Sequence, residues 1–134
     1  MVEHTPYGIK TRVKMDYEAA IGKVTEHLKD EGFGILTEIN VKETLKQKID
    51  VDFRNYIILG ACNPGFAHKV LQAETDIGLL LPCNVIVYQE DDGSVVVAAM
   101  DPSAAMGVVG NEDVVPVAAQ VTAKLERVIT AMAG

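Results

Sequence analysis

The chain has no tryptophan, and aromatic residues make up 5% of its 134 positions. Its interior must therefore be built mainly from aliphatic side chains. Cysteine is scarce too: Cys62 and Cys83 are the only two. That is too few for a disulfide scaffold and suits a reducing compartment. Neither CxxC nor HExxH occurs, and His4, His27 and His68 are scattered. Lys and Arg number 12 against 19 Asp and Glu, for a net charge of −7. This shortage of positive charge argues against non-specific nucleic-acid binding, which needs Lys and Arg to displace counterions from phosphates. It argues equally against binding to anionic membrane surfaces. No apolar run approaches the ~18–20 residues of a membrane span, and Ile77–Leu81 is cut by Gly78 and stopped by Pro82. The opening MVEHTPYGIK lacks the basic start and apolar core of a signal peptide. The expectation is a soluble cytoplasmic protein with no nucleic-acid or membrane partner. Gly107-Val108-Val109-Gly110 has neither the spacing of a phosphate loop nor its following Lys.

What is present is a chain that is 49% apolar, enough for one domain over residues 1–134. Ile9, Thr11, Val13 and Met15 alternate with Lys10, Arg12 and Lys14, which predicts a half-buried strand. Its basic stripe reads as a solvated face, as lysines guarding a sheet edge, or as a contact for an anion. Asp16 is placed to cap a helix whose apolar stripe is Tyr17, Ala20, Ile21, Val24 and Leu28. Gly32 stands where a left-handed C-terminal cap belongs. Phe33, Ile35, Thr37 and Ile39 alternate along a second strand. Asn40 and Glu43 form a capping-box pattern before a short helix bearing Val41, Leu45 and Ile49.

Tyr56–Cys62 is apolar on both faces, the pattern of a strand covered on both sides. Asn63 suits an N-cap and Pro64 the first helical position, with Phe66, Ala67, Val70 and Leu71 facing inward. Asp76–Pro82 reads as an apolar loop. Val85–Glu90 and Val95–Met100 are strands joined by a hairpin at Asp91-Asp92-Gly93-Ser94. Asp101–Asn111 reads as a loop punctuated by Pro and Gly. Asp113 is placed to cap a last helix carrying Val114, Val117, Val121, Leu125, Val128 and Met132, with Pro116 tolerated in its first turn.

This order fits either a parallel α/β sheet of crossover units or an α+β fold with one curved antiparallel sheet. The difference decides where the cysteines lie. Parallel neighbours put Cys62 and Cys83 at opposite ends of the sheet; antiparallel neighbours put both at one end.

The words LGACNP (Leu59–Pro64), LLLPCNV (Leu79–Val85) followed by VYQE (Val87–Glu90), and MDP (Met100–Pro102) resemble the hallmarks of the domain of unknown function 302. The resemblance covers nearly the whole chain. It implies a small α+β domain with a TATA-box-binding-protein-like β-α-β4-α core. That core is a curved, mainly antiparallel sheet with two main helices on one face and short helical excursions between strands. It also implies a homodimer. It brings no established activity and no catalytic residues, and the fold label does not import DNA binding. The residues add a reason for pairing. Strands apolar on both faces, with long helices to cover one, leave an interaction surface, and a two-fold homodimer is the common way to close it.

Chemistry centres on two Cys-Asn pairs. Cys62 precedes a helix N-terminus, whose positive end favours a thiolate, so it is the candidate nucleophile. His68 is a poor base for it, because it points more than a quarter-turn from the helix's apolar face. Cys62, Asn63, Cys83, Asn84 and Asp101 are the candidate ligand-binding residues. They flank a pocket expected between the cysteine end of the sheet and the Asp101–Asn111 loop. The leading expectation is a homodimer that binds a small molecule or a partner there. The alternatives are a thiol-dependent enzyme or redox protein using Cys62, and metal binding through Cys62 and Cys83. No third ligand for a tetrahedral metal is evident, and no cofactor is indicated. Against all three stands the plain reading, in which both cysteines are small buried hydrophobes and the asparagines turn and cap the chain.

Overall fold

The computed structural model describes residues 1–134. It contains one six-stranded sheet, antiparallel throughout, with strand order β1-β2-β6-β5-β4-β3. The strands are β1 (Val2–His4), β2 (Gly8–Val13), β3 (Gly34–Asn40), β4 (Tyr56–Cys62), β5 (Cys83–Gln89) and β6 (Val95–Met100). The helices are α1 (Tyr17–Asp30), α2 (Val41–Ile49), α3 (Pro64–Ala73), α4 (Pro102–Met106) and α5 (Val115–Ala133). Short 3-10 turns occupy Thr75–Leu80 and Gly107–Val109. The α+β expectation holds and the parallel alternative falls.

Alternation along the strands builds the main core. Ile9, Leu59, Val85, Val87 and Val97 are wholly buried and meet Val24, Leu28, Leu125 and Ile129 from α1 and α5. Burying a large aliphatic side chain is worth about 1.5–3 kcal/mol, so this sheet–helix layer is the main source of stability. A second cluster joins Val70 of α3, Ile77, Met106 of α4, and Val114 and Ala118 at the start of α5. The short helices α3 and α4 thus extend the α5 side of the molecule and leave the opposite sheet face free. Tyr56, Ile58, Ile86 and Tyr88 point to that face, half-buried, and belong to neither core. Lys10 and Arg12 lie on it too, making ion pairs with Glu3 and Glu90. The basic stripe therefore lies on the open face within the sheet and is not an edge guard, because β1 pairs outside β2.

Local signals set several boundaries. The Ala19 N–H donates to the Asp16 carboxylate at 2.7 Å, and the Glu43 N–H donates to Asn40 Oδ1 at 3.1 Å. Gly32 takes φ +88° just beyond α1, and Gly93 takes φ +90° in the β5–β6 hairpin.

Other expectations are corrected. The alternation of β3 breaks at a bulge between Ile35 and Thr37, so Leu36 is the extra residue and Thr37 and Ile39 leave the side of Phe33 and Ile35. The Asp101–Asn111 stretch is not a plain loop: Asp101 caps α4, accepting from the Ser103 and Ala104 N–H groups and the Thr122 hydroxyl. Val114, not Asp113, occupies the N-cap of α5, without a side-chain bond. Helix α2 buries none of its residues.

Candidate functional site

The cysteines meet because β4 and β5 are antiparallel neighbours. Ala61 is paired with Cys83 and Gly60 with Asn84, so Cys62 ends one strand where Cys83 begins the next. Both sulfurs are free. Gly60 is needed at this end: a Cβ there would collide with the Thr37 hydroxyl and come within 2.9 Å of Pro82 Cγ.

A cavity of about 350 Å³ opens beside this sheet end, between α3, α5 and the chain around Leu81 and Pro82. Of its 16 lining residues, 13 are hydrophobic, which makes it an apolar hole within the size range of small-molecule sites. Cys62, Cys83, Phe66, Ala67, Met106 and Val121 contribute to its wall. Leu36 and Leu71, 67% and 38% exposed, connect the lining to solvent. No acidic or basic residue lines it.

The candidate residues divide. Cys62, Asn63 and Cys83 line the cavity; Asn84 and Asp101 do not. Asn84 follows Cys83 on a strand, so the period of two turns it to the opposite face. There it lines a separate surface hollow of about 420 Å³ with Tyr7, Lys10 and Tyr88. Asp101 is spent on capping α4. Asn63 holds the N-cap position of α3 without making a cap bond; its Nδ2 instead donates to the Glu31 carbonyl oxygen at 3.3 Å. His68 is exposed and does not line the cavity.

Cys83 is 6% exposed. Burial, and secondarily the negative charge of a Cys62 thiolate, push its thiol up to about 11. At neutral pH it stays protonated, which makes it a weak nucleophile and a weak metal ligand. No group of three or more His, Cys, Asp or Glu side chains is arranged to hold a metal ion. No helix is long and apolar enough to cross a membrane.

The candidate residues supply three of the 16 lining residues, Cys62, Asn63 and Cys83. Leu36 reaches the lining through the bulge. Lys69 Nζ and Lys124 Nζ lie 5.4 and 5.9 Å from the centroid of the Phe66 ring, which forms part of the wall. The i, i+3 spacing of Phe66 and Lys69 was visible in the sequence; Lys124 comes from α5, and nothing local announced it.

Fold and cavity together define a small α+β domain with an apolar site at one end of an antiparallel sheet. The chain belongs to the family described as domain of unknown function DUF302, whose model matches residues 9–132. It is similar to the crystal structure of an uncharacterized conserved DUF302 protein from Bacillus stearothermophilus. That likeness has 30% identity and a TM-score of 0.87, covering 93% of this chain and 97% of the other. A comparison with curated proteins finds no match.

Proposed function

We propose that this protein is a cytoplasmic homodimer that binds a small, largely apolar molecule in the cavity bearing Cys62 and Cys83. The observation that carries the reading is the lining: 13 of 16 residues are hydrophobic around a space of about 350 Å³. An apolar hole of this size gains free energy when a ligand removes its walls from water. His68, exposed and outside the lining, supplies no base to Cys62 within the cavity, which favours binding over thiol catalysis. Two unpaired thiols suit the reducing cytoplasm. The open sheet face supports pairing, because Tyr56, Ile58, Ile86 and Tyr88 supply apolar surface. Lys10 with Glu3 and Arg12 with Glu90 supply both signs of charge around it, which a two-fold axis can match to itself.

The binding test is native mass spectrometry of the purified chain for a co-purified molecule, with titration of short alkyl and aryl compounds. Ala67→Phe and Leu71→Trp each narrow the cavity and are expected to abolish uptake while the folded-state circular dichroism persists. Uptake undiminished in both folded variants, or no uptake by the natural chain at millimolar ligand, overturns the reading.

A further inference from the structure

We propose that α2 and the segment 50–53 dock on a second copy of this chain, so that the dimer interface runs from the open sheet face onto this helix. The inference rests on the pairing reading above and adds the element that completes the interface.

Helix α2 stands apart from the other helices. Each of α1, α3, α4 and α5 buries at least one residue, and α2 buries none. Its nine residues carry an apolar row at Val41, Leu45 and Ile49. Val41 and Leu45 are half-buried beside β3 and β4, but Ile49 is 62% exposed. Isolated helices shorter than about 12–15 residues are marginal in water, and most helices are held by packing an apolar face. The chain itself supplies α2 with little of that packing.

The uncovered residues are continuous with the open face. Val51 and Phe53, just beyond α2, are exposed. The Phe53 ring lies 6.1 Å from that of Tyr56, which stacks on Tyr88 at 5.5 Å. Ile39, exposed at the end of β3, stands opposite Ile58. A stable interface takes about 800 Å² from each partner, roughly 20–30 residues a side. Tyr56, Ile58, Ile86 and Tyr88, each half-buried, fall short of that alone. Ile39, Ile49, Val51 and Phe53 extend the same patch toward it.

Charge favours a second copy as the occupant. Two chains of net charge −7 repel each other over most of their surfaces. Helix α2 is locally positive, with Lys42, Lys46 and Lys48 against Glu43. The hairpin that follows Tyr88 is acidic, with Glu90, Asp91 and Asp92. Lys48 and Asp92 take part in none of the ion pairs of the molecule. Each copy thus offers the other an apolar surface and charge opposite in sign to that of α2. A two-fold interface uses one such patch twice.

The test measures the dimer dissociation constant by sedimentation on dilution, for the natural chain and for Ile49→Glu with Val51→Ser. Both changes fall on exposed residues, so the circular dichroism of the fold should persist. The dissociation constant is expected to rise about 100-fold. Hydrogen exchange on the natural chain gives a readout that needs no substitution. The amides of Val41–Ile49 are expected to exchange about tenfold faster in the monomer, below the dissociation midpoint, than in the dimer above it. A dissociation constant unchanged in the folded variant, or equal exchange of these amides in monomer and dimer, overturns the docking of α2 while the pairing reading stands. A natural chain that is monomeric at micromolar concentration overturns the pairing reading and this one with it.

Discussion

Asn63 Nδ2 donates to the carbonyl oxygen of Glu31 at 3.3 Å, joining the start of α3 to the end of α1. The amide passes directly over Gly32, where a Cβ would stand 3.0 Å from that nitrogen. Gly32 also takes φ +88°, a conformation that costs side-chain-bearing residues about 1 kcal/mol or more. Gly32→Ala is therefore expected to lower stability by about 1–2 kcal/mol in urea denaturation, through backbone strain and this contact together. Asn63→Ala is expected to cost about 1 kcal/mol. In the double variant the alanine at 32 no longer meets the amide, so the two costs should sum to less than their separate values. Strict additivity would show that the amide does not constrain Gly32.

The same residues show what a linear reading reaches. Asp16, Asn40, Gly32 and Gly93 were legible because each acts on backbone within a few positions of itself. Asn63 looked like one more cap, yet its side chain answers a carbonyl from a distant helix. Local pattern could not rank those two partners. The bulge at Leu36 was hidden for another reason. One inserted residue leaves composition unchanged and merely shifts the phase of alternation, so Thr37 and Ile39 were placed on the wrong side. Helix α4 was hidden by Pro102 and Gly107, which mark loops as readily as helix ends. The meeting of Cys62 and Cys83 depended wholly on strand direction, which the family resemblance decided and the residues alone did not. Asn84 was separable in principle, since it adjoins Cys83 in one strand and must face away from it. The lysines at Phe66 needed the packing of α5 against α3 before they could be seen together.

Cys83 gives the molecule an alkaline limb. Its thiol moves from an ordinary 9.0 to about 11, chiefly because burial disfavours the thiolate. In the unfolded chain the proton leaves near 9; in the folded chain it is retained to about 11. Below pH 9 both states hold the proton and stability is unaffected. Between about pH 9 and pH 11 the unfolded state alone is deprotonated, so stability falls as pH rises, by about 2–3 kcal/mol in all. Tyr17 and Tyr56, also raised by burial, act in the same direction at higher pH and remain in a Cys83 variant. Cys83→Ala is thus expected to flatten the dependence from pH 9 to 11 without abolishing it. In the folded chain at pH 8, iodoacetamide should leave Cys83 unmodified over times that label unfolded protein. Rapid labelling at Cys83, or identical alkaline slopes for the two chains, would contradict a buried, protonated thiol.

Ile86 tests the open face. It stands opposite Ile58 on β4 and Ala98 on β6, at the middle of the surface that the helices leave free. It belongs to neither hydrophobic core. A carboxylate introduced there meets water in a monomer but is buried against a second copy in a dimer, where an unpaired charge is costly. Ile86→Glu is therefore expected to dissociate the pair, read as halved mass in sedimentation equilibrium at micromolar protein, with the circular dichroism spectrum of the fold retained. Because the cavity lies at the sheet end and between α3 and α5, uptake of short alkyl and aryl compounds should change less than twofold in the dissociated form. A natural chain that already sediments as a monomer removes the pairing proposal. A variant that stays dimeric moves the interface off this face.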